Sequence, residues 1–208
     1  PIPTVHGETW VSAGGHFWEL TPWMPGNADF HPERKPEKLV GAMKALANFH
    51  KAVVEYPSGE RSDIAPSAIE RYRLHEQLSH EIPAIHAALE AQNLSDEFRA
   101  IAFDIVSGFS KSNTIAEDLR RAAALTSHLQ PAIRDIHDEH VLFQGDRVTG
   151  IVDFGALRID SVAVDISRLL GSMARDVEAS WQTGLAAYES VSPISHQTRH
   201  LIPIFDRS

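Results

Sequence analysis

The stretch AIRDIHDEHVLFQGDRVTGIVDFGALRID, residues 132–160, holds six carboxylates and two histidines around short apolar runs. HVLF, the turn QGD and RVTGIVDF predict a hairpin over 140–154. Asp135 then lies in the loop before one strand, and Asp153 at the end of its partner. Such a hairpin folds both carboxylates back to the same end. Like charges at short range are unfavourable unless a cation or a proton is shared, so the pattern calls for a divalent metal or a basic substrate. Gly155 is expected to turn the backbone away directly after Asp153.

The rest of the chain surrounds this hairpin with helical patterns. ETWVSAGGHFWELT, residues 8–21, predicts a first hairpin turning at Gly14-Gly15, and PWMPG, residues 22–26, marks a connector where regular pairing ends. From Pro36 the apolar residues Leu39, Met43, Leu46, Phe49 or His50, and Val53 recur at helical spacing, and Pro36 suits a first turn. A second helical region spans roughly 67–91 and is expected to break near Pro83. Ser95 followed by Asp96 and Glu97 reads as the N-cap of a third, and Thr114 with Glu117 as the capping box of a fourth. Two more helices are expected near 162–173 and 176–190. The order describes an α+β fold, a small β part leading into a mainly helical part.

The chain of 208 residues is 43% hydrophobic and carries a formal charge of −9, with no cysteine. Disulfides and thiolate metal sites are thereby excluded, so any metal must be held by oxygen and imidazole. The acidic balance argues against a nucleic-acid partner, whose phosphates need clustered Lys and Arg. A cationic or neutral partner fits better, and solubility alone also accounts for the charge. No apolar run is long enough to span a bilayer and no basic start leads into one, which predicts a soluble, cytoplasmic protein without a membrane partner. The oligomeric state is not legible.

IRDIHDEH, VLF, QGDRVTG and IVDFG, taken in order, resemble the catalytic segment of the aminoglycoside phosphotransferase and choline kinase-like family, relatives of protein kinases. FWELTPWMPG resembles the family's hinge, ALANFHKAV the helix that follows it, and SVAVDISRLLG the segment where an Asp leads a helix. The resemblance implies a protein kinase-like fold: residues 1–26 as the hinge and a remnant β-hairpin of the nucleotide-binding small lobe, and 27–208 as a helical catalytic lobe carrying the catalytic hairpin. It implies ATP-dependent phosphorylation of a hydroxyl on a small polar molecule, with Mg²⁺. Asp135 takes the place of the catalytic Asp that receives or orients the hydroxyl proton, and Asp153 that of the metal-holding carboxylate. The backbone of Glu19, Leu20 and Thr21 takes the place of the adenine-binding hinge. Asp165 corresponds to a supporting carboxylate that orders the catalytic loop.

Three departures from the family pattern bear on function. His140 stands where the family has a metal-binding Asn. Imidazole suits Mn²⁺ or Zn²⁺ better than Mg²⁺, so His140 is either a metal ligand that opens the site to Mn²⁺ or a hydrogen-bonded loop histidine. Asp138 or Glu139 could stand in as oxygen ligands, or simply be solvated. Ile133-Arg134 replaces the usual His-Gly, with Arg134 expected to pair with a nearby carboxylate. Neither a Gly-rich phosphate loop nor a strand Lys precedes the hinge, so most of the small lobe is expected to lie outside this sequence. A kinase-like scaffold without chemistry is the competing reading. A metal-dependent phosphohydrolase built on His137, Asp138 and His140 is a third, disfavoured by its strand context. Trp10, Phe17, Trp18 and Trp23 are expected to pack in the core of the small lobe. His137 is expected to be buried with a backbone hydrogen bond.

Overall fold

The structure, a computed structural model, describes residues 1–56, 61–110 and 113–208. Strands β1 (Val11–Ala13) and β2 (His16–Trp18) form the first hairpin, with Ala13 opposite His16. Gly14 and Gly15 take φ of 60° and 77°, the mirror-image turn that lets two residues reverse a twisted strand pair. The aromatic residues of this hairpin do not form the core expected of them. Phe17 is 78% exposed and Trp23 95%, and Trp10 meets Phe17 edge-on at 4.9 Å on the open surface.

The connector does more than end the hairpin. Asn27 makes an isolated bridge to Phe143, each backbone N–H donating to the other's carbonyl at 2.9 Å, and Thr149 Oγ1 donates to the Pro25 carbonyl. Gly26 sits between them at φ 114°, where a Cβ would lie 2.5 Å from Thr149 Oγ1 and 2.7 Å from the Phe143 carbonyl. Gly26→Ala is therefore expected to lose about 3 kcal/mol or more from strain and overpacking together. Gly145→Asn, in an open turn at φ 58°, should lose less than about 1 kcal/mol. Thermal melting of the two variants checks the contrast.

A short helix, α1 (Phe30–Glu33), leads into α2 (Pro36–Val53), which starts on Pro36 as the sequence predicts. Its Leu39, Met43, Leu46 and His50 all face inward. Burying each of those three apolar side chains contributes on the order of 1.5–3 kcal/mol. Next come β3 (Arg61–Ile64), α3 (Pro66–Ala91), α4 (Asp96–Ser110) and α5 (Asn113–Ala122). Helix α3 does not break at Pro83. The carbonyl that Pro83 leaves unpaired is that of Ser79, an exposed residue, so water can satisfy it. Ser95 Oγ does cap α4, accepting from Phe98 N at 3.3 Å. The expected cap of α5 is misplaced: Thr114 lies inside the helix, and Glu117 turns to Arg121 instead, at 2.5 Å.

β4 (Thr126–Ala132) follows, then a 3-10 turn over Asp138–His140, β5 (Val141–Gln144), β6 (Arg147–Ile151) and β7 (Arg158–Asp160). β5 and β6 form the expected second hairpin, with an irregularity after Leu142. β3, β4 and β7 form a three-stranded sheet that the sequence patterns do not announce. Pro131 is tolerated in its middle strand because β3 pairs only with residues 126–129 of β4, so at Pro131 the strand has one neighbour, β7.

Helices α6 (Ala163–Ala174) and α7 (Glu178–Glu189) match expectation, and α8 (His196–Arg207) was missed. Ser195 caps α8, accepting from Thr198 N at 3.1 Å. The core joins α2, α6 and α8 to Ile133, Ile136, Val141 and Phe143 of the catalytic segment, all fully or nearly fully buried. That packing makes the floor of the candidate site rigid. No helix among the described residues is long and apolar enough to cross a membrane.

Candidate active site

A buried carboxylate anchors the loop. Asp165, in the first turn of α6, accepts from the backbone of Ile133 at 2.7 Å and of Arg134 at 2.6 Å. His50 of α2 meets the same carboxylate through Nε2 at 2.9 Å, and its Nδ1 meets Tyr188 Oη at 2.7 Å. A carboxylate accepts only, so Nε2 carries the proton toward it and Nδ1 is left to accept from the phenol. Burial, reinforced by the Asp165 charge, pushes the Tyr188 phenol far above its ordinary range and keeps it a donor. Gln130 Nε2 closes the network on the His50 carbonyl at 2.8 Å. Asp165 thus occupies the position expected of it.

The backbone held this way is unusual. Arg134 takes φ 70°, a left-handed conformation that costs a non-glycine residue about 1 kcal/mol or more. Its side chain pairs with Glu70 and, at 3.3 Å through Nε, with Asp160. This is the carboxylate partnership anticipated for Arg134. Burial raises the Asp160 carboxyl, while Ser161 N, Ser67 and Arg134 pull it back. Ser67 Oγ donates to Asp160 at 2.8 Å, so β7 and α3 are stitched together beneath the loop.

Asp135 follows, half exposed, and Arg168 of α6 donates to its Oδ1. The cation that the sequence argument reserved for a metal or substrate is, for Asp135, already supplied by the protein. No spacing rule finds Arg168, which reaches the loop only because α6 packs beneath it.

His140 and Asp153 meet at the far end of the same loop, with His140 Nε2 3.7 Å from Asp153 Oδ2. His140 is mostly buried, and its Nδ1 is shut off from solvent with no hydrogen-bond partner. The His137 ring lies against it at 3.8 Å between centroids. His137 is only partly buried and offers its carbonyl to His140 N at 2.9 Å. Asp153 itself takes φ 64°, and the chain turns directly after it over residues 154–157, with Gly155 inside the turn as expected and Leu157 N donating to the Phe154 carbonyl at 3.1 Å. Within that turn Gly155 donates its N–H to Asp153 Oδ1 at 3.3 Å. Phe154 packs on Phe49 at 5.4 Å, tying the motif to α2.

Asp138 is neither solvated nor available as a ligand. It is 6% exposed, its carboxylate 2.7 Å from His31 Nε2 and its backbone N–H on Ser172 Oγ at 3.0 Å. Among the described residues no three His, Asp or Glu side chains gather into a complete metal site. Two donors do face each other, and bound at about 2.1 Å to one ion they would stand about 3–3.5 Å apart. His140 and Asp153 need only a small shift, so the pair could hold a divalent cation.

Glu19, Leu20 and Thr21 are exposed and lie outside regular structure after β2. The Leu20 carbonyl accepts from Ile2 N at 2.6 Å, and Glu19 and Leu20 share a cavity of about 240 Å³ with Trp10 and Trp18.

The phosphotransferase enzyme family's sequence model matches residues 1–201, and the chain belongs to that family. Its fold is that of solved kinase-like phosphotransferases. An aminoglycoside phosphotransferase from Alicyclobacillus acidocaldarius subsp. acidocaldarius superposes with a TM-score of 0.63 at 16% identity, covering 98% of this chain and 61% of that one. A glucosamine kinase superposes with a TM-score of 0.56 at 14% identity, covering 91% of this chain and 54% of that one. The chain therefore spans less than two thirds of the length of these relatives. Among curated proteins none matches the sequence significantly.

Proposed function

We propose that the protein transfers the γ-phosphoryl group of ATP to a hydroxyl of a small molecule. Asp135 takes the hydroxyl proton as the oxygen attacks phosphorus, the bond to the bridging oxygen of the nucleotide breaks, and ADP leaves. Arg168 fixes the orientation of the Asp135 carboxylate. Asp153 and His140 hold the divalent ion, with Mn²⁺ favoured over Mg²⁺ by the imidazole. Such an ion, when bound, neutralises charge on the phosphates. The adenine contact is placed on the backbone of Glu19 and Thr21, since the Leu20 carbonyl is engaged by Ile2. A cytoplasmic setting, where ATP is abundant, accompanies this reading.

The observation that carries the reading is the 3.7 Å approach of His140 and Asp153, with Asp153 at φ 64°, on the loop whose start is clamped by Asp165. Calorimetric titration of the full-length protein tests it. ATP binding should require Mn²⁺ or Mg²⁺, and Asp153→Ala should weaken it by more than about 100-fold, beyond the cost of losing an outer partner of a metal site. His140→Asn should shift preference from Mn²⁺ toward Mg²⁺. Metal-independent ATP binding, unchanged in Asp153→Ala, would remove the basis of the assignment.

A further inference from the structure

Two adjoining cavities lie along α3 and the end of α8, and the second reaches the loop at His137. The first, about 520 Å³, opens between α3, α5 and the end of α8. Leu74, Leu78, Phe109, Ile115 and Leu119 make its walls apolar. One polar atom stands out there: His75 Nε2 is shut off from solvent without a hydrogen-bond partner, its ring stacked on Phe109 at 4.8 Å. The second cavity, about 300 Å³, is lined by His137, Arg168, Ser172 and Asp206. Arg71 lines both. A path therefore runs from the apolar cavity past Arg71 as far as Arg168, which in turn holds the Asp135 carboxylate.

Charge along this path is unevenly matched. Arg207, also on the first cavity, is committed to Asp118 at 2.9 Å, Arg134 to Glu70 and Asp160, and Arg168 to Asp135. Arg71 makes no ion pair among the described residues, and its guanidinium lies over the Phe205 ring at 4.8 Å. Burial, Arg168 and Arg134 disfavour its charge and outweigh the opposing Asp160 and Glu70, so a further anion beside it would be stabilising. Asp206, the acid of the second cavity, has its carboxyl raised by burial and by Asp176 and lowered by Arg207. The walls of the first cavity are apolar, and Arg71, shared by both cavities, is the cation on the path without an ion pair among the described residues.

We propose that the acceptor is an amphipathic anion: an apolar body seated in the α3–α5 cavity, a carboxylate-like group on Arg71, and a hydroxyl reaching Asp135. Polycationic acceptors are disfavoured because Arg71 lies across their route. The role of this ligand as acceptor rests on the phosphotransferase reading; the site itself does not.

Fluorescence titration of the full-length protein with anilinonaphthalene sulfonate, an apolar anion, and N-phenylnaphthylamine, its uncharged counterpart, tests the site without ATP. Both probes should bind, and Arg71→Gln should weaken the sulfonate by about tenfold or more while changing the neutral probe less than about twofold. Arg71→Lys should restore most of the difference. Leu78→Trp, or Ile115→Phe should Leu78→Trp fail to fold by circular dichroism, should weaken both probes. Hydroxydodecanoate should displace the sulfonate, and kanamycin should not. Sulfonate affinity indifferent to Arg71→Gln and to cavity filling, or displacement by kanamycin alone, overturns the inference. Probe binding as expected in a protein that never transfers phosphate would leave the site standing and remove the phosphotransferase reading instead.

Discussion

Asp135→Asn in the full-length protein is expected to lower kcat by about 10²–10⁴-fold, the usual worth of a positioned general base, while ATP affinity changes less than about threefold. The asymmetry follows from position. Asp135 is held by Arg168, whereas His140 and Asp153, the proposed metal ligands, meet at the loop's other end. Removing a group that acts only on the reacting proton lowers kcat and kcat/KM together and leaves nucleotide binding alone. Asp153→Ala should show the opposite pattern, loss of nucleotide affinity first. Steady-state kinetics beside calorimetry separates the two. Equal loss of ATP binding in both variants would mean that Asp135 has been given the wrong role.

The largest expected effect on stability belongs to Asp165→Ala. This one carboxylate accepts from two backbone N–H groups and faces the buried His50 ring. Its removal strands three buried donors at about 1–3 kcal/mol each, partly relieved by relaxation or by an entering water, for a loss of about 3–5 kcal/mol. At about 2–4 °C per kcal/mol for a domain of this size, Tm should fall by roughly 10 °C. Arg134 is held at φ 70° partly by the same contact. The variant should therefore lose catalytic geometry even at temperatures where it stays folded. A Tm within about 2 °C of the parent would show that the network is not what holds the loop.

How much of this was legible in the sequence depended on whether a feature was local. The two-residue glycine turn, the Leu39–Met43–Leu46–His50 stripe and the 141–151 hairpin obey short-range rules and stand where the sequence placed them. The β3–β4–β7 sheet joins strands far apart in sequence, and Pro131 disguises its middle strand because a strand paired on one side can carry proline. Pro203 inside α8 hid a helix in the same way. In the site, the Asp165 clamp, the Arg134 partnership and the turn at Gly155 stand where they were expected, whereas the positive φ falls on Asp153. Arg168 on Asp135, and His31 on Asp138, depend on which helix packs under the loop, and no spacing within the loop encodes them.

The central claim concerns where a phosphoryl group goes. Full-length protein incubated with γ-labelled ATP, Mn²⁺ and a mixture of hydroxylated small molecules should yield a labelled acceptor, bonded through oxygen, in amounts that Asp135→Asn reduces by about 10²-fold or more. Label recovered only as inorganic phosphate, or acceptor labelling that Asp135→Asn leaves undiminished, would contradict it.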